Sequence, residues 1–173
     1  MDPVRQVGRV GQVGTDETTT LRTAGAQDVP AIVALLNAAF AMERDFMDRD
    51  RIYPSEVDAY MKAGTYFVVD SRSGALDACM YLERRGDRMY LGMLAVNPLR
   101  QGGGLGRQLM MAAEQRAAEA GCQALDIRVV NLRTELPPFY RKLGFVENGT
   151  EPLTDPTLKK PAHFIRMTKP VRS

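Results

Sequence analysis

The spacing of apolar and polar positions changes several times along this chain, and each change marks an element. Thr19-Thr-Leu-Arg-Thr-Ala24 reads as a short first strand. From Val29 the apolar residues recur at Ile32, Val33, Leu35, Leu36, Ala39 and Phe40, with Asn37 and Glu43 on the other side. That is the period of one helix face, and Pro30 suits a first helical turn. Pro54 to Glu56 opens a second helix, with Val57, Tyr60 and Met61 as its apolar side, and Gly64 ends it. Three strands follow, Thr65 to Asp70, Leu76 to Arg84 and Arg88 to Val96, separated by the turns Ser71 to Gly74 and Arg85 to Asp87. Helical spacing returns at Leu105, Leu109, Ala112, Ala113 and Ala120, with Glu114, Arg116 and Glu119 outward and Gly121 as the stop. Ala124 to Val130 alternates as a strand. Glu135 to Leu143 is a short helix ended by Gly144, and strands begin at Phe145 and run from Ala162 to Thr168. Glu151 to Pro161, with three prolines, reads as a loop. The order predicts an α/β fold with a mixed, mostly antiparallel sheet flanked by helices.

Two stretches carry no period. Met1 to Thr18 mixes Gly, Gln, Val and charge and is predicted to be a disordered tail, leaving a single domain over 19–170. Met42 to Tyr53 is dense in both signs of charge and reads as an irregular segment.

The most informative junction lies between the strand ending at Val96 and the helix beginning at Leu105. Gln101, Gly102, Gly103, Gly104, Leu105 and Gly106 form a glycine-rich turn that opens the helix. Glycines let several backbone N–H groups converge. The first N–H groups of a helix lack intrahelical partners and carry its positive dipole end. Together they suit a phosphate. The turn is not a Walker A loop, because Gly106 is followed by Arg107 and Gln108 rather than Lys and Ser or Thr. It does not complete the dinucleotide fingerprint, and the next strand ends in Val129-Val-Asn131 without an acidic residue.

Gln101 to Gly106 does fit Gln/Arg-x-x-Gly-x-Gly/Ala, and Phe139-Tyr-Arg-Lys-Leu-Gly-Phe145 follows a strand that ends at Asn131. In these two motifs the chain resembles the GNAT superfamily of acetyl-CoA-dependent N-acetyltransferases, over roughly Leu21 to Lys169. The resemblance implies a GNAT-like sheet whose central strand pair splays apart, with acetyl-pantetheine in the resulting V. It implies that Gln101, Gly102, Gly103, Gly104, Leu105 and Gly106 hold pyrophosphate, with Arg107 and Arg100 either adding charge or lying as surface residues. It implies that the backbones of Leu94, Ala95 and Val96 hold the pantetheine amides and polarise the acetyl carbonyl. It makes Tyr140 the catalytic residue, a phenol that protonates the leaving thiolate. Asn131 would hydrogen-bond pantetheine or cap a strand end. Its nine-residue gap to Tyr140 and the Pro137-Pro138 pair depart from the usual pattern.

Composition narrows the partners. The net charge of +2 and the absence of a dense basic run argue against nucleic acid and anionic membrane as partners. One histidine and two separated cysteines, Cys79 and Cys122, do not make a metal cluster, so acetyl-CoA is expected as co-substrate with no metal. The cysteines read as buried thiols. With no apolar run of membrane-spanning length and no signal core, the expected location is cytoplasmic.

The acceptor amine, of a small molecule or a peptide, should meet the charged segment Glu43 to Tyr53 and the loop Glu151 to Pro161. Glu43, Asp45, Asp48 and Asp50 could attract a cationic amine, and Arg44, Arg49 and Arg51 leave an amine bearing a carboxylate equally open. Glu83, Glu43 and Asp45 are candidates for the general base, and His163 on a late strand reads as a packed or edge residue. A non-catalytic acyl-CoA-binding sensor or interaction module is the alternative function, and a homodimer stays open.

Overall fold

The computed structural model describes residues 9–12 and 18–172, with side chains from Thr20 onward. Its strands are β1 (Arg9–Gln12), β2 (Thr18–Thr23), β3 (Thr65–Asp70), β4 (Leu76–Arg85), β5 (Arg88–Val96), β6 (Ala124–Val130), β7 (Val146–Pro152) and β8 (His163–Pro170). Its α-helices are α1 (Val29–Ala39), α2 (Pro54–Ala63), α3 (Leu105–Glu119) and α4 (Leu136–Lys142). Among the described residues the strands form one sheet in the order β1-β2-β3-β4-β5-β6-β8-β7. Every pairing is antiparallel except β5 with β6. The mixed, mostly antiparallel α/β fold is therefore as the apolar pattern predicts.

The sheet separates two apolar layers, and side-chain alternation assigns each strand residue to one of them. In β3, Phe67 and Val69 face the layer that packs Leu105, Leu109, Met110, Ala113 and Ala117 of α3, while Tyr66 and Val68 face the layer that packs Ile32, Leu35 and Leu36 of α1 and Val57 of α2. β4 repeats the division, with Met80 and Leu82 on the α3 side and Cys79 and Tyr81 on the α1 side.

β5 breaks this regularity. Met89 and Leu91 pack on the α3 side and Tyr90 on the other, but beyond the middle Leu94 and Val96 are on the α3 side and Ala95 opposite. The parity has flipped. The cause is a bulge: Tyr81 pairs with Gly92 and Cys79 with Ala95, so β5 carries one residue more than β4 between those points. Met93 sits there with a φ of 51°, the one non-glycine residue with positive φ among those described.

Two boundaries differ from the sequence pattern. Part of the expected disordered tail is ordered: Arg9–Gln12 pair antiparallel with β2, Arg9 opposite Thr20 and Gln12 opposite Thr18. The signal was missed because four residues are too few to show a period. The rest of that tail, residues 1–8 and 13–17, lies outside the described residues. The expected loop from Glu151 begins two residues later, because Glu151 and Pro152 still pair with Phe164 and His163. Pro152 ends a strand at the sheet's edge, where a missing N–H is tolerated.

Candidate active site

The site begins where β5 and β6 part. They pair only from Arg88 opposite Ala124 to Tyr90 opposite Asp126. Beyond that β5 stays with β4 as far as Val96, and β6 stays with β8 as far as Val130. The closed end of this V is tied by Arg88. Its guanidinium donates to both Asp126 oxygens, at 2.6 and 2.7 Å, and to Thr168 Oγ1 at 2.9 Å. The planar fork matches the carboxylate bidentately, so β5, β6 and β8 are fixed together at one point and diverge from it.

A cavity of about 290 Å³ occupies the opening. β5 contributes Tyr90 to Val96, β6 contributes Ile127 to Val130, and Gln101 and Tyr140 also line it. Leu94, Ala95, Val96, Gln101 and Tyr140 thus line one cavity.

The glycine turn lies beside the end of β5. Gln101 Nε2 donates to the Val96 carbonyl at 3.2 Å, which ties the turn to the strand. Gly102 and Gly104 have φ of 90° and 84°, and nothing stands within 4 Å of where a Cβ would be. Gly104 is the residue from which α3 starts. The turn therefore leaves clear space over backbone N–H groups at the start of a helix of 15 residues. Gly103 and Arg107 are exposed. Arg100 is engaged elsewhere, donating from Nη1 to the buried carboxylate of Asp77. These residues fit a CoA pyrophosphate: an open glycine cradle, a helix start and an exposed arginine.

Tyr140 is in α4, whose first turn accommodates Pro137 because the N–H groups there have no intrahelical partner. Its ring packs edge-on against Phe139 and Phe145, and the residue is 9% exposed. Burial pushes its phenol up to about 12. It is therefore fully protonated near neutral pH, the state of a proton donor.

Asn131 does not line the cavity. Its Oδ1 accepts from the His163 backbone N–H at 2.8 Å, and its own N–H donates to the His163 carbonyl at 2.9 Å. It closes the end of the β6–β8 ladder, which is the strand-cap role. His163 is exposed at the other half of that pair.

The two segments expected to meet the acceptor do come together. Asp48 N donates to Thr157 O, and Lys159 N to Phe46 O, both at 2.8 Å. Glu43, Met47, Arg49 and Arg51 from the first segment and Leu153 and Asp155 from the second line the cavity. Glu43 is buried, with Arg133 Nη1 at 2.9 Å and Arg51 Nε at 3.4 Å. Asp45 and Asp48 are exposed and off the cavity, and Asp50 pairs with Arg44 at 2.7 Å. Glu83 is also off the cavity. Arg85 Nε, at 2.7 Å, holds its carboxyl below the usual range, and Tyr81 Oη donates to it at 2.8 Å.

Arg133, Tyr90 and Gly92 are cavity residues that the sequence motifs did not single out. Arg133 becomes visible only through its contact with Glu43, ninety positions away. Among the described residues, no group of three or more His, Cys, Asp or Glu side chains is placed to hold a metal ion, and no helix is long and apolar enough to cross a membrane.

The sequence pattern of the acetyltransferase (GNAT) family matches residues 30–145, about two-thirds of the chain. The chain belongs to the GNAT family. An IAA acetyltransferase from Azospirillum brasilense is 26% identical over 133 residues, covering 76% of this chain and 86% of that protein. The fold is that of the ribosomal-protein-S18-alanine N-acetyltransferase from Escherichia coli, with a TM-score of 0.74 at 20% identity, over 90% of this chain and 95% of the other. It is also that of the yncA protein of Salmonella typhimurium, solved with its cofactor acetyl-CoA, with a TM-score of 0.69 at 18% identity, over 91% and 96% of the two chains.

Proposed function

We propose that this GNAT protein is an N-acetyltransferase that moves the acetyl group of acetyl-CoA directly to an amine of a small molecule or peptide. Residues 19–170 act as the single catalytic domain, in the cytoplasm. One observation carries the reading: a protonated, buried Tyr140 stands in the same cavity as the open strand of Leu94, Ala95 and Val96, beside an unobstructed glycine turn.

In this reading Gln101 to Gly106 hold the pyrophosphate through backbone N–H groups, with Arg107 adding charge from α3. The open edge of β5 offers N–H and C=O groups to the pantetheine arm, and an N–H aimed at the acetyl oxygen stabilises negative charge there. Asn131 spends one Oδ1 lone pair on the His163 N–H, and its Nδ2 donors are the groups that would reach pantetheine. The thioester supplies the acetyl group: a C–N bond forms as the amine attacks, and the C–S bond breaks. Tyr140 Oη delivers a proton to the departing sulfur and regains one from water, while the amine releases one to water. No covalent acyl-enzyme is involved.

The test is thiol release from acetyl-CoA against a broad amine panel, with calorimetry of acetyl-CoA in the presence of a chelator. Micromolar binding with amine-dependent thiol release supports the reading. Binding with no release for any amine would instead identify an acyl-CoA-binding module.

A further inference from the structure

Resting on that acetyl-transfer reading, we propose that the acceptor is a small amine that also carries a carboxylate, and that Arg51 in the cavity lining binds this carboxylate. The cavity, at about 290 Å³, is at the lower end of the range for small-molecule sites. Its charged lining is Arg49, Arg51, Arg128 and Arg133 against Glu43, Glu56 and Asp155, a net charge of +1. That balance disfavours a polyamine, which would bring further positive charge into a partly enclosed, positive space.

Three of the four arginines are already occupied. Arg49 donates to Glu56 at 2.6 Å and to the Asp50 carbonyl at 2.9 Å. Arg133 donates to Glu43 and to Glu135, each at 2.9 Å. Arg128 lies over the Phe164 ring, 4.1 Å from its centroid, and reaches Glu151 at 3.4 Å.

Arg51 differs. Its nearest carboxylate oxygen, on Glu43, is 3.4 Å from Nε and is not aligned for a hydrogen bond. That Nε is buried and has no hydrogen-bond partner. A ligand does not reach that Nε, but the side chain is 30% exposed and lines the cavity, so the Nη atoms are the donors a carboxylate would pair. The guanidinium lies over Phe40, 5.0 Å from the ring centroid, which helps hold its plane. A held guanidinium plane suits a carboxylate better than any point anion. Glu43 is bound by Arg133 at shorter range than by Arg51, so the charge of Arg51 is the one left to the ligand.

The experiment uses the full chain, acetyl-CoA and matched acceptors: L-amino acids, the corresponding amino-acid carboxamides, and spermidine. At least one amino acid should have a kcat/KM about tenfold or more above its carboxamide, the scale of one charge-assisted contact. Arg51→Gln should bring that ratio toward one through the KM of the amino acid, and Arg51→Lys should give an intermediate ratio. Melting temperature and acetyl-CoA calorimetry establish that each variant is folded. Carboxamides or spermidine turned over as well as the amino acids would overturn the proposal. So would a ratio that survives in folded Arg51→Gln, or acetyl-CoA binding without turnover of any amino acid. Loss of acetyl-CoA binding in the unmodified protein would overturn the underlying acetyl-transfer reading instead.

Discussion

At Tyr140 a single hydroxyl separates packing from chemistry. Phenylalanine preserves the ring contacts to Phe139 and Phe145 and removes only the proton donor. Tyr140→Phe should therefore lower kcat about 10²-fold, the low end for a general acid, with little change in acetyl-CoA affinity. Steady-state kinetics beside calorimetry would check this, and turnover within about twofold of the unmodified enzyme would make Tyr140 a packing residue. At Gly104 the backbone is left-handed, with φ of 84°, and the space beside it is open. Gly104→Val both strains that turn and fills the approach to the N–H groups, so acetyl-CoA binding should become undetectable by calorimetry. A folded variant that bound normally would refute the cradle. The motifs made Gln101 to Gly106 and Tyr140 legible as candidates because each motif is made of residues close together in the chain. Arg133 was not legible, and Arg51 was legible only as one of three arginines that could meet a carboxylate-bearing amine, because their meeting with Glu43 and Phe40 is a product of the fold.

Among the elements, those with an unbroken apolar pattern matched their residues closely. Thr65–Asp70, Arg88–Val96 and Ala124–Val130 run as the pattern predicts. The splay of β5 from β6 came from family likeness and not from any period, although Gly92 inside β5 is the kind of residue that marks a bulge. Met93 itself carries no turn signal, yet it holds the bulge. β1 shows the opposite failure, an element too short to declare itself. It pairs with β2 at the far end of the sheet from the site. A chain beginning at Thr19 should bind acetyl-CoA with unchanged affinity and melt several degrees lower, because β2 would become an exposed edge. An unchanged melting temperature would show that β1 contributes nothing to stability.

For the whole molecule, the two apolar layers also set the response to pH. Burial raises the phenols of Tyr60, Tyr66 and Tyr81 above their ordinary range and pushes both Tyr140 and Cys79 up to about 12. In the unfolded chain these groups lose protons from about pH 8.5 for the thiol and about pH 10 for the phenols. The folded state holds the protons more tightly, so this stabilisation is complete below those values and is lost as pH rises through the folded ones. Melting temperature should fall steadily above about pH 9. Tyr66 offers the check, because its hydroxyl is buried with no hydrogen-bond partner. Tyr66→Phe should melt no lower than the unmodified protein at pH 8 and should lose less stability by pH 11. A variant clearly less stable at pH 8 would show that the hydroxyl is bonded after all. The bulge in β5 leaves the filling of the two layers undisturbed. Excising Met93 would restore even pairing with β4 and leave Leu94 and Val96 toward α3 and Ala95 toward α1, because Ala95 already faces Cys79 and Val96 already faces Ala78. One added residue thus reshapes the wall of the site while both interiors keep their filling, so this kink could be gained or lost without either core being rewritten.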